Sequence, residues 1–234
     1  PTRSNTATIT IDLSDVNEFD PLLDDSTFSV NENSAVNTAV GQVTATDADT
    51  SQSITYTIQS GNSSGAFLVN HSTGEIRVAD ATKLNFEATQ QFTLTIQATD
   101  NGQPTRSDTA TVTINVTDVN EFDPVLNDAA FALNENTANN TLVGQVNATD
   151  DDTSQTISYA ILSGNGSGVF SLNANNGELR VADASKLDFE TTRQFALTIQ
   201  ATDNGQPKRS DTATVIIDLL DVNEFDPLLD DSTF

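Results

Sequence analysis

The heptad Asp118-Val119-Asn120-Glu121-Phe122-Asp123-Pro124 recurs unchanged at residues 15–21 and 221–227, each copy 103 residues from the last. A spacing of this length is too long for a solenoid repeat and fits one independently folding domain per period. Ungapped comparison of 22–124 with 125–227 gives roughly two-thirds identity, so the two stretches must share one fold. The heptad is acidic, follows alternating apolar residues and ends in a proline. That is how a strand runs out into a stiff linker. The expected organisation is therefore two complete repeats, 22–124 and 125–227. Residues 1–21 read as the final strand and linker of an upstream repeat, and 228–234 as the start of a downstream one.

Within a repeat, hydrophobicity alternates with period two. Residues 27–31 and 40–46 form two expected strands, and Ile54, Tyr56 and Ile58 point inward from a third. Residues 67–69 and 75–79 follow, separated by the turn Ser72-Thr73-Gly74. Phe92, Leu94, Ile96 and Ala98 line the next strand, and Ala110, Val112, Ile114 and Val116 the last. The second repeat supplies Ile157, Tyr159, Ile161, Phe195, Leu197 and Ile199 at the matching places. Only residues 81–87 resist a strand reading and suggest a short helical turn. Seven short strands with frequent turns imply an all-β fold: two tandem immunoglobulin-like Greek-key β-sandwiches, antiparallel, joined end to end. Residues 6–13 carry the pattern of the last strand, with Ala7, Ile9, Ile11 and Leu13 on one side. Lacking the rest of a sandwich, they are expected to be mobile or to pair with another chain.

Charge narrows the function classes. With 34 acidic and 9 basic residues the net charge is −25, which makes nucleic acid and anionic membranes poor partners. The chain has no cysteine, so no disulfide can staple it. For a secreted domain, metal binding is the natural substitute. No apolar run approaches a membrane-spanning length, so no direct membrane insertion is expected. Enzymatic signals are weak. His71 is the only histidine, and Ala174 stands in its place in the other repeat. No serine lies in a nucleophile motif, and Gly164-Asn165-Gly166-Ser167-Gly168 lacks the lysine and helix of a phosphate cradle. No catalytic activity is expected.

The carboxylates instead fall into recurrent motifs. Asn31-Glu32-Asn33, Asp47-Ala48-Asp49, Leu84-Asn85-Phe86-Glu87 and Asp100-Asn101-Gly102 recur as Asn134-Glu135-Asn136, Asp150-Asp151-Asp152, Leu187-Asp188-Phe189-Glu190 and Asp203-Asn204-Gly205. An EF-hand reading of Asp47-Ala48-Asp49 fails, because Gln52 and Ile58 stand where a glycine and a bidentate glutamate are required. In order and spacing, with the heptad, the set resembles the cadherin repeat family over both repeats. The resemblance implies three Ca²⁺ ions at each junction between repeats. At the central junction it implies Glu32, Glu87, Asp118 and Glu121 from the first repeat, and Asn120 and the Phe122 carbonyl from the linker. From the second repeat it implies Asp150, Asp152 and Asp203, with a carbonyl near Ser154. At the first junction it implies Asn17, the Phe19 carbonyl, Asp47, Asp49 and Asp100, with Asp15 and Glu18 nearby. At the third it implies Glu135, Asp188, Glu190, Asp221 and Glu224.

Two departures from the family pattern stand out. Glu121-Phe122 replaces an Asp-Asn pair, which is tolerable where the second residue acts through its backbone carbonyl. Asn85 replaces an aspartate and costs the outermost central subsite a charge. Two unit charges about 5 Å apart at an effective dielectric near 20 repel by roughly 3 kcal/mol. Clustered carboxylates without a cation therefore oppose folding, and Ca²⁺ relieves them. The functional expectation is an extracellular, secreted or cell-surface, calcium-dependent structural and adhesive module, stiffened by Ca²⁺ between neighbouring repeats. Homophilic protein contacts are candidate partners. The close similarity of the copies and the lack of Cys, Met and Trp suggest a long bacterial surface array. Cell-surface glycans are candidate partners too, and the alternative is a carbohydrate-binding module of a secreted biofilm or polysaccharide-degrading protein, which the 6% aromatic content disfavours.

Overall fold

The computed structural model describes residues 1–49, 52–152 and 154–224. The expected downstream start at 228–234 and the end of the third heptad lie outside them. The chain divides into two compact units, one ending at Asp118 and the other beginning at Val119.

In the first unit the strands are β1 (Leu22–Leu23), β2 (Ser26–Asn31), β3 (Ala39–Gln42), β4 (Ala45–Thr46) and β5 (Thr55–Ser60). They continue with β6 (Phe67–Val69), β7 (Glu75–Val78), β8 (Gln91–Thr99) and β9 (Ser107–Thr117). Strands β10 (Val125–Leu126) to β18 (Ser210–Leu220) in the second unit reproduce each of these 103 residues later. One sheet has the order β2-β9-β8-β5 and the facing sheet the order β3-β7-β6, with β1 paired to β4. The alternation read from sequence is what fills the space between them. Leu94 and Ile96 of β8, Val112 and Ile114 of β9 and Ile76 and Val78 of β7 are all fully buried. Phe67 meets Phe92 edge-to-face with ring centroids 5.1 Å apart, and Phe170 meets Phe195 at 5.2 Å. Tyr56 is buried and Tyr159 packs against its own core. Their hydroxyls accept from the Ala45 and Ala148 N–H groups, both at 2.9 Å. Each ring is thereby committed to the interior.

The structure corrects two expectations. The sandwich is not wholly antiparallel, because β2 pairs parallel with β9. β1 precedes the first expected strand and was not expected; it pairs with β4 whereas β2 pairs with β9, so the chain switches sheets between them. The switch is held by Asp108 accepting from the Leu23 N–H (2.9 Å) and Asp25 accepting from the Thr111 N–H (2.7 Å). The stretch 40–46 is two strands, β3 and β4. Each unit thus has nine strand segments where seven were expected. Residues 6–13, expected to be mobile or to pair with another chain, form no strand and are exposed along their length, Ile9 and Ile11 at 83% and 80%. Alternation supplies a face, but a strand also needs a ladder partner, and none of the described strands pairs with this stretch.

The segment 81–87 does contain a short 3₁₀ turn, Ala81–Lys83, capped by the Asp80 carboxylate accepting from the Thr82 N–H at 3.0 Å. Its other end delivers Leu84 into the core and sets Asn85 and Glu87 at one end of the unit.

Candidate metal centres

Each unit carries acidic side chains at both ends, and the strand termini position them. At the start of the first unit, Asp15, Glu18 and Asp49 bring carboxylate oxygens within 4.8 Å of one another. Asn17, Asp49 and Asp100 are buried there, at 5%, 5% and 3% exposure. The Asn17 amide donates to Asp100 Oδ2 (3.1 Å) and to the Pro104 carbonyl, while the Phe19 N–H donates to Asp49 Oδ2 (3.0 Å). Asp47 closes an Asx turn, its Oδ1 accepting from the Asp49 N–H at 2.9 Å. Burial alone would raise the pKa of Asp100. Bonds from the Arg106 N–H, the Asn17 amide and the Gly102 N–H outweigh it and hold the carboxyl below its ordinary value. The Phe19 ring is half exposed.

The second unit repeats this end. The Asn120 amide donates to Asp203 Oδ2 (3.1 Å) and to the Pro207 carbonyl, and the Phe122 N–H donates to Asp152 Oδ2 (3.0 Å). Asp152 and Asp203 are each 1% exposed. Burial, then the charges of Asp203, Asp151 and Asp123, raise the Asp150 pKa against the bond from the Asp152 N–H. Ser154 is exposed beside this cluster.

The far ends are built around a buried glutamate. Glu32 and Glu135 are each 2% exposed. Glu32 Oε2 accepts from the Phe86 N–H, and Glu135 Oε2 from the Phe189 N–H, both at 2.7 Å. Glu135 Oε1 also accepts from the Val222 N–H at 2.8 Å. Glu135, Glu190 and Asp221 form a cluster of carboxylate oxygens within 4.8 Å. A bond from its own backbone N–H pulls the Glu190 pKa down, but burial and the charges of Glu135, Glu224 and Asp221 prevail and raise it. Glu224 accepts from the Asn136 amide at 2.6 Å. In the first unit Glu87 is exposed and Asp118 half-buried at the end of β9.

Asn85 and Asp188 cap turns. Asn85 Oδ1 accepts from the Ala88 N–H (2.7 Å) and Asp188 Oδ1 from the Thr191 N–H (2.9 Å). The asparagine of each Asn-Glu-Asn motif has a backbone reason as well. Asn33 and Asn136 adopt φ of 54° and 61°, a left-handed conformation that asparagine tolerates better than most residues.

The roles of several residues at these ends escaped the sequence reading. Arg106 and Arg209 reach back to Asp20 and Asp123, at 2.8 and 2.9 Å. The Gln52 amide donates to Asn17 Oδ1 at 3.1 Å. Gly102 and Gly205 leave no room for a side chain, because a Cβ would overlap Asn17 and Gln52, or Asn120 and Gln155. The available signal was identity at the 103-residue spacing, which all of these share.

The donor chemistry fits a hard cation. Buried side-chain oxygens lacking a hydrogen-bond donor include Asp47 Oδ2 and Gln52 Oε1 in the first unit, and Asn120 Oδ1, Asp150 Oδ2 and Gln155 Oε1 in the second. Buried acceptors without donors are costly unless something positive meets them. Carboxylate and amide oxygens are the ligands that Ca²⁺ prefers, at six to eight per ion.

Known proteins resemble this chain along nearly its whole length. The model of the cadherin domain matches residues 26–117 and again 129–220. Human Protocadherin Fat 1 is 36% identical over 231 residues, 95% of this chain and 5% of that protein. The Protocadherin-like wing polarity protein stan of Drosophila melanogaster is 36% identical over 238 residues, 97% of this chain and 6% of its own length. The chain thus spans about a twentieth of these relatives. Among solved structures, Protocadherin Gamma B2 extracellular cadherin domains 3-6 superimpose with a TM-score of 0.80 at 30% identity, covering 90% of this chain and 53% of that one. Mouse Cadherin-23 EC22-24 gives 0.76 at 27%, covering 88% and 68%. Matched twice in tandem by the domain model, and by relatives along nearly its whole length, the chain belongs to the cadherin family.

Proposed function

We propose that this chain is a calcium-dependent structural and adhesive segment of an extracellular protein, without catalytic activity. Its repeats are taken as 22–124 and 125–227, flanked by further repeats of a longer, membrane-associated parent. The observation that carries the reading is the set of buried acceptor oxygens without donors, among them Asp47 Oδ2, Asn120 Oδ1 and Asp150 Oδ2. Ca²⁺ supplies the positive charge these oxygens lack. Asn17, the Phe19 carbonyl, Asp47, Asp49 and Asp100 are the ligands at the first junction, with Asp15 and Glu18. Glu32, Glu87, Asp118, Asn120, Glu121, the Phe122 carbonyl, Asp150, Asp152, Asp203 and the carbonyl near Ser154 serve the central one. Glu135, Asp188, Glu190, Asp221 and Glu224 serve the third, and Asn85 is the weak position of the central set.

The buried glutamates anchor each far end to the sandwich through backbone N–H groups. The heptad asparagines do the same for each near end. Ligands are thus held in place by the fold, and the metal joins what the fold presents. Partners are neighbouring repeats and protein surfaces of the homophilic kind. A cis-dimer is named for the Protocadherin gammaB7 EC3-6 structure, which this chain resembles at a TM-score of 0.82 and 29% identity. No helix among the described residues is long and apolar enough to cross a membrane.

Calorimetric titration with calcium, and melting in EDTA against millimolar calcium, test the proposal. Extracellular sites bind at about 10⁻⁴–10⁻³ M. At twenty times the dissociation constant, each site adds about 1.8 kcal/mol to stability. Equal melting temperatures in EDTA and in calcium would refute the reading.

A further inference from the structure

Both near ends contain one cation that the carboxylate pattern does not explain. The Arg209 Nε donates to the Asn120 carbonyl (3.0 Å) and its Nη1 to Asp123 Oδ1 (2.9 Å). Its backbone N–H donates to Asp203, 3.1 Å from Oδ1 and 3.0 Å from Oδ2. In the first unit Arg106 makes the same contacts: Nε to the Asn17 carbonyl at 3.0 Å, Nη1 to Asp20 Oδ1 at 2.8 Å, and N–H to Asp100 Oδ1 at 2.9 Å. Neither arginine belongs to the proposed ligand set, and neither does Asp20 or Asp123.

We propose that Arg106 and Arg209 are positioning residues that clamp the linker onto the body of the repeat that follows, whether or not metal is bound. Asn120, Phe122 and Asp123 are held at four points: the Asn120 amide by Asp203 and the Pro207 carbonyl, and the Asn120 carbonyl by Arg209. The Phe122 N–H is held by Asp152 and the Asp123 carboxylate by Arg209. All four lie within the second unit and none needs a metal. Asn17, Phe19 and Asp20 are held in the same way within the first unit. The planar fork of arginine suits this task, since one guanidinium reaches a carbonyl and a carboxylate together.

The division of labour within Asn120 follows. Its amide nitrogen and its carbonyl are occupied by the clamp, while Oδ1 is buried and without a donor, the atom a cation would take. The guanidinium itself is held above its ordinary pKa by the bond to Asp123, which prevails over burial with help from the charges of Asp123, Asp152 and Asp203. Its positive charge opposes a divalent ion, whereas its geometry favours one by pre-ordering the ligands. A lysine in its place keeps the charge and loses the fork, so it separates the two effects. The prediction for affinity rests on the calcium reading; the clamp does not.

The test is amide hydrogen exchange of the two-repeat chain in EDTA, with calcium chloride titrations of the same proteins. In the parent protein the Phe122 amide remains protected in EDTA. In both R209K and R209Q the linker peptide exchanges about tenfold faster, while peptides from β17 and β18 keep their protection. D123N, which leaves the arginine in place, shifts exchange in the same direction, and R106K and D20N do so in the first unit. R209K also binds calcium severalfold more weakly. Free exchange of the parent linker in EDTA overturns the clamp, as does an R209K variant as protected as the parent. Absence of calcium binding in every protein sinks the metal reading instead, and leaves the clamp to be judged by the EDTA exchange.

Discussion

Replacing Asn120 with alanine isolates what holds the linker to the second unit. The side chain is 6% exposed, and its amide donates to Asp203 Oδ2 at 3.1 Å and to the Pro207 carbonyl. A hydrogen bond to a carboxylate contributes about 1.5–3 kcal/mol and one to a neutral carbonyl about 0.5–1.5 kcal/mol. Together they come to about 2–4.5 kcal/mol. The upper half is expected, because Asp203 is 1% exposed and water cannot readily replace the lost donor. Against a domain stability of about 5–15 kcal/mol this is a large loss. At about 4–8 °C per kcal/mol for a small domain, the transition of the second unit falls by about 13–36 °C. Differential scanning calorimetry in EDTA reads this, and the first unit serves as reference because Asn17 makes the matching bonds there. N17A should move the other transition. In calcium the N120A deficit should widen, since Oδ1 leaves with the amide. If N120A in EDTA melts within about 3 °C of the parent, a shift below 1 kcal/mol, the linker is not anchored through this side chain and the reasoning fails.

Four further outcomes are expected. G205A places a methyl against Asn120 and Gln155 and should cost the second unit about 1–3 kcal/mol in denaturant melts. G166A, which meets nothing within 4 Å, should stay within about 0.5 kcal/mol of the parent. N85D should leave EDTA stability nearly unchanged, because Asp188 caps the same turn in the second unit. Calcium titration should then show one step tightened, and a titration in which no step moves would remove Asn85 from the ligands. Bonds from the Thr82 and Ser185 hydroxyls and N–H groups hold Asp80 and Asp183 below 3.8, so their contribution is present above that value and lost as pH falls through the folded pKa. Asp150 and Glu190 are raised from 3.8 and 4.5, so stability in EDTA is gained as pH falls through their folded pKa values towards those ordinary ones. A melting maximum below neutrality and above 3.8 is expected, and a steady rise to pH 8 would contradict it.

The parts legible in sequence were those set by local chemistry. Alternation exposed β8 and β9 because one face of each is fully buried, and the Asp80 cap left residues 81–83 outside the strand pattern. The sheet switch between β1 and β2 was not legible. It depends on Asp108 and Asp25 meeting N–H groups 85 and 86 residues away, where no local pattern records the pairing. Residues 6–13 are the complementary case, since their alternation is genuine but none of the described strands offers them a ladder. At the ends, carboxylates announce themselves by clustering in sequence. The arginine clamp does not, because Arg209 acts on Asn120 and Asp123 across 89 and 86 residues. Only the repeat spacing connects them.

The duplication also separates what the fold requires from what it tolerates. Inward positions of the last strand change little: Val112 and Ile114 face the core in one unit, Val215 and Ile217 in the other. Its outward positions drift, from Thr113 and Asn115 to Ile216 and Asp218. Even there the drift respects bonding, since Gln91 donates to Asn115 and Gln194 to Asp218 in the same place. The near end behaves like the core and not like the surface. Asn17, Asp47, Asp49, Gln52, Asp100, Gly102 and Arg106 all recur 103 residues later. A solvated acidic surface would place no such demand on a glutamine, a glycine and an arginine, because each of those is needed only if the neighbouring carboxylates must sit at set positions. The identity of these uncharged and cationic members argues, more than the acids do, that the ends are built to hold something.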